Sequence, residues 1–183
     1  MGDLDVLHHV EVEPQLAEFC RLEWPRLVGS LSLYTGDRDL AEDLAQETLV
    51  RACQHWLTVR SEASRSAWAH RVAFNLAKSQ FRRRAVRRRY QHLEQLELVV
   101  HDPDTSTRIA VRSALAALPE PQRRALVLRY FADLSVLEVA ALMGCPENTV
   151  KTHTRRALEA LRTAGLVTDP VTRPGRLATG GMR

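Results

Sequence analysis

The segment from Asp133 to Arg162 constrains the fold of this chain most, because it reads as two helices joined by a tight turn. Ser135 precedes Glu138 by three residues, which is the spacing of a helix-capping box. Gly144 follows the apolar run, where a helix commonly ends in the left-handed conformation. Pro146 then suits the start of a second helix because its φ angle is fixed. This layout predicts a helix-turn-helix, whose second helix lies in the major groove of DNA.

The second helix of this motif is predicted to have one apolar and one polar face. Its apolar residues recur at helical spacing and are expected to face the core; they are Val150, Ala157, Leu158 and Leu161. The polar face carries amide, hydroxyl, ammonium and guanidinium groups, which can contact bases and phosphates. The DNA contacts predicted on this helix are Asn148, Thr149, Lys151, Thr152, Arg155 and Arg156.

Basic charge is concentrated earlier in the chain. The net charge is only +4, yet the stretch from Arg60 to Arg89 holds ten basic residues and a single acid, Glu62. A local basic block on a nearly neutral chain favours a surface for a polyanion, although a solvated helix end is the alternative. Four of its polar residues are spaced four, three and four, which places them on one helix face. The DNA contacts predicted here are Arg71, Asn75, Lys78, Arg82 and Arg83.

Every ordered stretch of the chain is predicted to be helical, and composition divides the chain into two domains. The first domain is expected over residues 13–89, with a break in its first helix near Pro25. An acidic linker is expected over 90–107, and a second helical domain over 108–164. Residues 165–183 are rich in Gly, Pro and Thr and are predicted to be a disordered tail. The fold class is therefore all-α, with two small helical domains on a flexible acidic linker.

Two helices of the first domain are predicted to bury an apolar face. The helix from Asp37 to Trp56 should turn an acidic stripe outward, which is either a solvated surface or a docking surface for a basic protein. On the helix that starts at Ser66, Trp68, Val72 and Leu76 are expected to pack inward. Trp24 and Trp56 are also predicted to serve mainly in packing.

Several chemistries find no support in the sequence. Cys20, Cys53 and Cys145 are odd in number and form no C-x-x-C pair, so neither disulfides nor structural zinc is expected. The sequence has no nucleophile motif or glycine-rich phosphate loop, so we expect no enzyme activity and no cofactor. It also has no signal peptide and no apolar run of about 20 residues, so a cytoplasmic location is expected.

Two groups of motifs resemble bacterial extracytoplasmic-function (ECF) sigma factors. The first group resembles region 2 of that family and consists of Asp43-Leu44-x-Gln46-Glu47 followed by Trp68-x-x-Arg71-Val72-Ala73-x-Asn75. Region 4 resembles Ala114-Leu115-x-x-Leu118-Pro119, then Leu128-Arg129-Tyr130, Glu138-Val139-Ala140 and Thr149-Val150-Lys151. The resemblance spans about residues 15 to 164. The chain departs from the family at Asn148, where Gly is frequent, and at Phe74, where Arg is frequent.

The resemblance implies a dissociable specificity subunit of bacterial RNA polymerase. Asp43, Gln46 and Glu47 would dock on the core enzyme, and the helix from Arg71 to Arg84 would engage and help to open the −10 promoter element. The helix from Glu147 to Leu161 would lie in the major groove at the −35 element. The acidic linker would mimic nucleic acid near the RNA exit path, and an anti-sigma factor is a possible further partner.

Two other function classes compete with this interpretation. A stand-alone helix-turn-helix regulator would leave the basic helix and the acidic linker without a purpose, and it would usually need a dimer seam. A nucleic-acid-processing enzyme would need a catalytic or metal-binding group of residues, and the sequence does not provide one.

Overall fold

The computed structural model describes residues 13–90 and 106–166 and contains eight helices and no strand within them. The predicted all-α fold is confirmed. Residues 1–12, residues 91–105 of the predicted linker and residues 167–183 of the predicted tail lie outside the described residues. The helices are α1 (Pro14–Thr35), α2 (Arg38–Gln54), α3 (Trp56–Val59), α4 (Arg65–Tyr90), α5 (Ser106–Ala117), α6 (Glu120–Tyr130), α7 (Val136–Met143) and α8 (Glu147–Thr163).

Helices α1 and α2 form a hairpin whose turn is fixed by two residues. Gly36 ends α1 with a φ of 76°, a conformation that glycine adopts without steric cost. Asp37 caps α2, because its side chain accepts a hydrogen bond from the Leu40 amide at 3.0 Å. The predicted break at Pro25 was wrong, since α1 is continuous through it. Pro25 is exposed, so water can satisfy the carbonyl that loses its intrahelical partner.

Helices α1, α2 and α4 pack against one another through small residues. The apolar face predicted for α2 is confirmed: Ala41, Leu44 and Ala45 are buried. On α4 the residues predicted to face the core lie one position away from those that are most deeply buried. Trp68, Val72 and Leu76 are only half-buried. The fully buried residues of α4 include Ala69, Ala73, Phe74 and Ala77. Alanines let two helix backbones approach closely, and that closeness decides which side of α4 turns inward.

The three tryptophans differ in their surroundings. Trp56 is buried, and its indole Nε1 donates a hydrogen bond to the Glu13 carboxylate at 2.6 Å. Trp68 is half-buried. Trp24 is 39% exposed, so its predicted role in the core was wrong. It lies on the face of α1 that no other described helix covers.

The two halves of the chain share a hydrophobic core. Val127, Leu128 and Val139 of the helix-turn-helix half belong to the same buried cluster as α1, α2 and α4. Two polar contacts add to this junction. The buried hydroxyl of Tyr34 donates a hydrogen bond to Glu120 at 2.5 Å, and the Arg123 guanidinium lies 5.6 Å from the centre of the Tyr34 ring.

A buried histidine lies between α1 and α4. The Nδ1–H of His70 donates a hydrogen bond to the Ser66 carbonyl at 3.0 Å, while none of the described residues forms a hydrogen bond with Nε2. The Glu23 carboxylate lies 4.0 Å from His70 Nδ1 and already interacts with Ser66 and Arg26. Burial disfavours the charged imidazolium, so it lowers the pKa of His70 despite these acceptors.

This burial predicts a stability that depends on pH. The unfolded chain takes up a proton near pH 6.5, whereas the folded chain resists it. The free energy of unfolding should therefore fall as the pH drops below 6.5, by at most about 1.4 kcal/mol per pH unit. His70→Asn keeps a donor for Ser66 and should flatten this decline in urea titrations at pH 5–8. The control is His55→Asn, at an exposed histidine; an equal slope in all three proteins would contradict the prediction.

Candidate nucleic-acid interface

The turn between α7 and α8 is held by the capping groups that the sequence predicts. The Ser135 amide donates a hydrogen bond to Glu138 Oε2 at 2.7 Å, and the Glu138 amide donates one to Ser135 Oγ at 3.2 Å. Gly144 ends α7 with a φ of 66°, which confirms its predicted left-handed conformation. Burial opposes the charge on Glu138, but the hydrogen bonds from Ser135 lower the pKa of this carboxyl overall. The acid is thus held as a carboxylate that caps the helix.

Helix α8 turns its predicted polar face away from the core. Val150, Ala157 and Leu161 are buried, and Leu158 is half-buried. Among the predicted DNA contacts, Asn148, Lys151, Arg155 and Arg156 are exposed, while Thr149 and Thr152 are half-buried. The structure therefore brings all six onto the accessible side of one helix.

The polar groups of α8 differ in how free they are to bind. The Thr152 hydroxyl donates to the Asn148 carbonyl at 2.8 Å, so it can offer only acceptor lone pairs to a ligand. Arg155 forms an exposed ion pair with Glu159 at 2.6 Å. Within the described ranges no ion pair holds Lys151 or Arg156. These two cations are therefore available for phosphates without breaking a contact.

A second cationic surface runs along α4. Arg71, Asn75, Lys78, Arg82 and Arg83 are all exposed, as predicted, while the opposite side of the helix forms part of the core. Arg71 and Arg82 lie eleven positions apart in one helix, so this surface extends over about 16 Å. Among the residues that the structure describes, none forms an ion pair or side-chain hydrogen bond with these five. Their charge is therefore left for an external anion.

The acidic face of α2 lies on the side of the helix opposite the buried alanines. Asp43, Gln46 and Glu47 are exposed, and Glu47 forms an ion pair with Arg51 at 3.0 Å. The helix ends at Gln54, and α3 begins at Trp56, so the single helix predicted from Asp37 to Trp56 is divided. This division leaves the acidic face intact, because all three residues precede it.

Two arginines of α6 support the helix-turn-helix from inside, and neither was predicted from the sequence. Arg124 is buried, and its guanidinium donates to the Leu142 carbonyl near the end of α7 at 3.5 Å. Arg129 similarly donates to the Leu134 carbonyl, just before α7 begins. Both arginines lie on α6, so this helix contacts the two ends of α7. An Arg-Arg pair in a basic chain resembles a solvated surface, and no sequence signal distinguishes the buried member.

The described residues offer little for other chemistries. They contain no group of three or more acidic, histidine or cysteine side chains arranged to hold a metal ion. Among the described helices, none combines the length and apolar character that crossing a bilayer requires.

Comparison with known proteins identifies both halves of the chain. The family described as Sigma-70 region 2 matches residues 22–87, and the family described as Sigma-70, region 4 matches residues 108–161. The ECF RNA polymerase sigma factor EcfG of Rhodopseudomonas palustris is 31% identical over 132 residues, which cover 69% of this chain and 72% of that protein. The chain belongs to the ECF family of RNA polymerase sigma factors. The RNA polymerase sigma-E factor of Streptomyces coelicolor is 30% identical over 151 residues, which cover 81% of this chain and 84% of that protein.

Solved sigma-factor structures share the fold. The sigma factor RpoE of Bartonella quintana, in complex with the anti-sigma factor NepR, has a TM-score of 0.75 at 24% identity, covering 86% of this chain and 100% of that chain. CnrH, in complex with the cytosolic domain of CnrY, has a TM-score of 0.58 at 21% identity, covering 84% and 89%. At these identities the likeness concerns the fold alone. Family membership makes this chain a sigma factor that directs core polymerase to promoters.

The capping box predicts a measurable contribution to the helix-turn-helix. Ser135→Ala removes the acceptor for the Glu138 amide and should lower the free energy of unfolding by about 1 kcal/mol. Ser135→Thr keeps a hydroxyl in the same place and should stay close to the wild type. Ser113→Ala, on the exposed side of α5, is the control for a lost hydroxyl. Chemical denaturation measures all four proteins, and equal loss in the Thr and Ala variants would exclude the capping mechanism.

Proposed function

We propose that the two cationic surfaces divide the work of a sigma factor at a promoter. The observation that carries this proposal is that α4 and α8 each expose a cationic face while their opposite faces are buried in the core. The domains would be residues 13–89 and 108–164, joined by the linker 90–107. Each domain would contact one promoter element, and the acidic face of α2 would contact core polymerase.

The α8 surface suits an intact duplex. An α-helix fits the major groove, where base edges present distinct donors and acceptors. Asn148 and Arg155 extend from its accessible side, where an amide or a guanidinium can reach base edges. Lys151 and Arg156 would hold phosphates, which fix position without reading sequence. We therefore assign Asn148, Thr149, Lys151, Thr152, Arg155 and Arg156 to the −35 element.

The α4 surface suits DNA that is opening. Its cationic groups are spread along about 16 Å of helix and can follow a backbone whose strands separate. The set consists of four cations and one amide, Asn75, whose side chain can form hydrogen bonds with a base edge. We assign Arg71, Asn75, Lys78, Arg82 and Arg83 to the −10 element.

The two halves must separate to reach both elements. The elements lie roughly 25 base pairs apart, as their names state, which is roughly 85 Å at 3.4 Å per base pair. A compact unit as long as the described ranges has a radius of gyration of roughly 14 Å. Fifteen residues, 91–105, connect α4 to α5 and can span about 50 Å when extended. We infer that core polymerase holds the halves apart, and that the free chain binds promoter DNA poorly.

An anti-sigma factor is the further partner that we propose. RpoE, which shares this fold, was solved in a complex with the anti-sigma factor NepR, and CnrH was solved in a complex with the cytosolic domain of CnrY. A sigma factor that acts on core polymerase also works in the cytoplasm, which supports the expected location. The family places the chain among initiation factors, and we propose no enzymatic step for it.

Charge reversal on α2 tests the polymerase surface. Asp43→Arg combined with Glu47→Arg changes only exposed side chains, so helix content should stay unchanged. The affinity for core polymerase should fall at least tenfold, which is about 1.4 kcal/mol. Glu18→Arg reverses an exposed acid on α1 and should leave the affinity near that of the wild type. Fluorescence titration with core enzyme at moderate salt measures all three, and an unchanged affinity of the double variant would identify a merely solvated face.

Promoter opening tests the division between α4 and α8. Lys151→Ala and Arg155→Ala should both weaken closed promoter binding by core polymerase that carries the chain. Arg155→Ala loses a base contact, which is worth about 1–3 kcal/mol, and Lys151→Ala loses a phosphate contact. Asn75→Ala combined with Lys78→Ala should leave closed binding closer to normal but reduce the permanganate reactivity of unpaired thymines. Run-off transcription from the same promoter reports both defects.

A pre-melted promoter template separates the two roles. It supplies the open state, so it should restore transcription by the α4 double variant much more than by the α8 variants. Asn148→Ala should relax preference at particular base pairs, whereas Lys151→Ala should reduce binding evenly and lower its salt dependence. Equal rescue of both sets of variants by the pre-melted template would refute the division.

A further inference from the structure

Two cysteines that are distant in the sequence meet where α1 packs along α2 and α3. Cys20 lies on α1, directly after Phe19, and Cys53 lies one turn before Trp56. The rings of Phe19 and Trp56 are in contact, with their centroids 5.6 Å apart. Six residues before Phe19 and four residues after Trp56, Glu13 forms an ion pair with Arg60 at 3.5 Å. These contacts set the register of the hairpin, and this register places the two thiols beside each other.

The thiols are close enough to interact, and they differ in exposure. Cys20 has Cys53 as its neighbour and is half-buried, whereas Cys53 is exposed. Burial, and then the neighbouring Cys53, raise the pKa of the Cys20 thiol to about 11. Cys20 therefore stays protonated and shielded, while Cys53 is open to small reagents in solution. Cys145, the third cysteine, lies in the turn between α7 and α8 and is half-buried.

We propose that Cys20 and Cys53 form a dithiol site that closes to an intramolecular disulfide when hydrogen peroxide oxidises the exposed Cys53. The three cysteines are free in the structure, and the proposal departs from the expectation that this chain would form no disulfide. That expectation rested on the odd number of cysteines and on their spacing. A pair that lies 33 positions apart leaves no spacing signal in the sequence.

The reaction has two steps that balance. The Cys53 thiolate attacks one peroxide oxygen, the O–O bond breaks, and a sulfenic acid and hydroxide form. The Cys20 sulfur then loses its proton and attacks the sulfenic sulfur; the S–S bond forms, the S–O bond breaks, and hydroxide leaves and becomes water. Two thiols are oxidised by two electrons, and one peroxide is reduced to two waters. A small dithiol such as dithiothreitol reverses the link by thiol–disulfide exchange.

The site lies beside a functional surface. Cys53 follows Gln46 by seven residues, which is two helical turns, so both are on the same side of α2. The link would join the two helices of the hairpin that presents Asp43, Gln46 and Glu47. It would also close a long loop of chain, which restricts the unfolded state and raises the melting temperature.

The test uses the full chain with Cys145→Ser as the background, so that only the proposed pair remains. The reduced protein is treated with hydrogen peroxide, denatured, alkylated with N-ethylmaleimide, and measured by intact mass and peptide mapping. We expect a monomer that has lost two mass units, takes up no maleimide, and yields a Cys20–Cys53 linked peptide. Dithiothreitol should restore both thiols. The wild type should behave identically but keep one reactive thiol, at Cys145.

Single variants and melting give independent readouts. In Cys20→Ser the sulfenic acid on Cys53 has no resolving thiol, so dimedone should label it. The melting temperature of the Cys145→Ser protein should rise by several degrees on oxidation and return on reduction. The proposal is overturned by a persistent dimedone adduct on Cys53 with Cys20 still free in the Cys145→Ser protein. Intermolecular dimers as the main product, or a lower melting temperature after closure, would overturn it as well.

Discussion

The burial of α1 on several sides is the constraint on which the rest of the structure depends. Leu27 and Leu31 are fully buried within the first half of the chain, and Tyr34, at the end of the same helix, reaches Glu120 in the second half. Leu33 contacts both hydrophobic clusters of the described residues. A helix that is covered so extensively cannot shift without exposing apolar area from both halves, at about 25 cal/mol per Å². It therefore fixes the positions of α2, α4 and α6 together.

The surfaces that we propose to bind DNA are the helix faces that this packing leaves exposed. The alanines of helix α4 pack against α1 and α2, and Arg71, Lys78, Arg82 and Arg83 remain exposed. Helix α8 packs in the same way against α6 and α7, where Val150 and Ala157 are buried. The capping box and the buried arginines of α6 hold α7, and α7 in turn fixes the angle at which α8 leaves the turn.

Local patterns could be predicted from the sequence, and contacts between distant segments could not. Ser135, Glu138 and Gly144 act on their own neighbours, so their spacing alone identified the turn. The exposed face of α4 was also predictable, since charge is costly to bury. The position of Trp24, the proximity of Cys20 to Cys53 and the burial of Arg124 depend on which helix lies opposite. Pro25 misled the prediction because a proline on an exposed helix face loses only a bond that water can replace.

The junction between the halves also limits how the protein can act. Opening it exposes Tyr34, whose pKa is raised by burial and by the hydrogen bond to Glu120, and it separates Arg123 from the Tyr34 ring. The shared apolar cluster makes opening of the junction unfavourable. A ligand can shift the equilibrium between the packed and the separated halves only by the difference between its binding free energies for the two states. In the function proposed above, promoter DNA that spans both elements would bind only the separated halves, and core polymerase would hold them apart. A regulator that prefers the packed halves would act in the opposite direction without covering either proposed DNA-binding face. The strength of this junction would then set how much binding free energy polymerase must supply before a promoter is read.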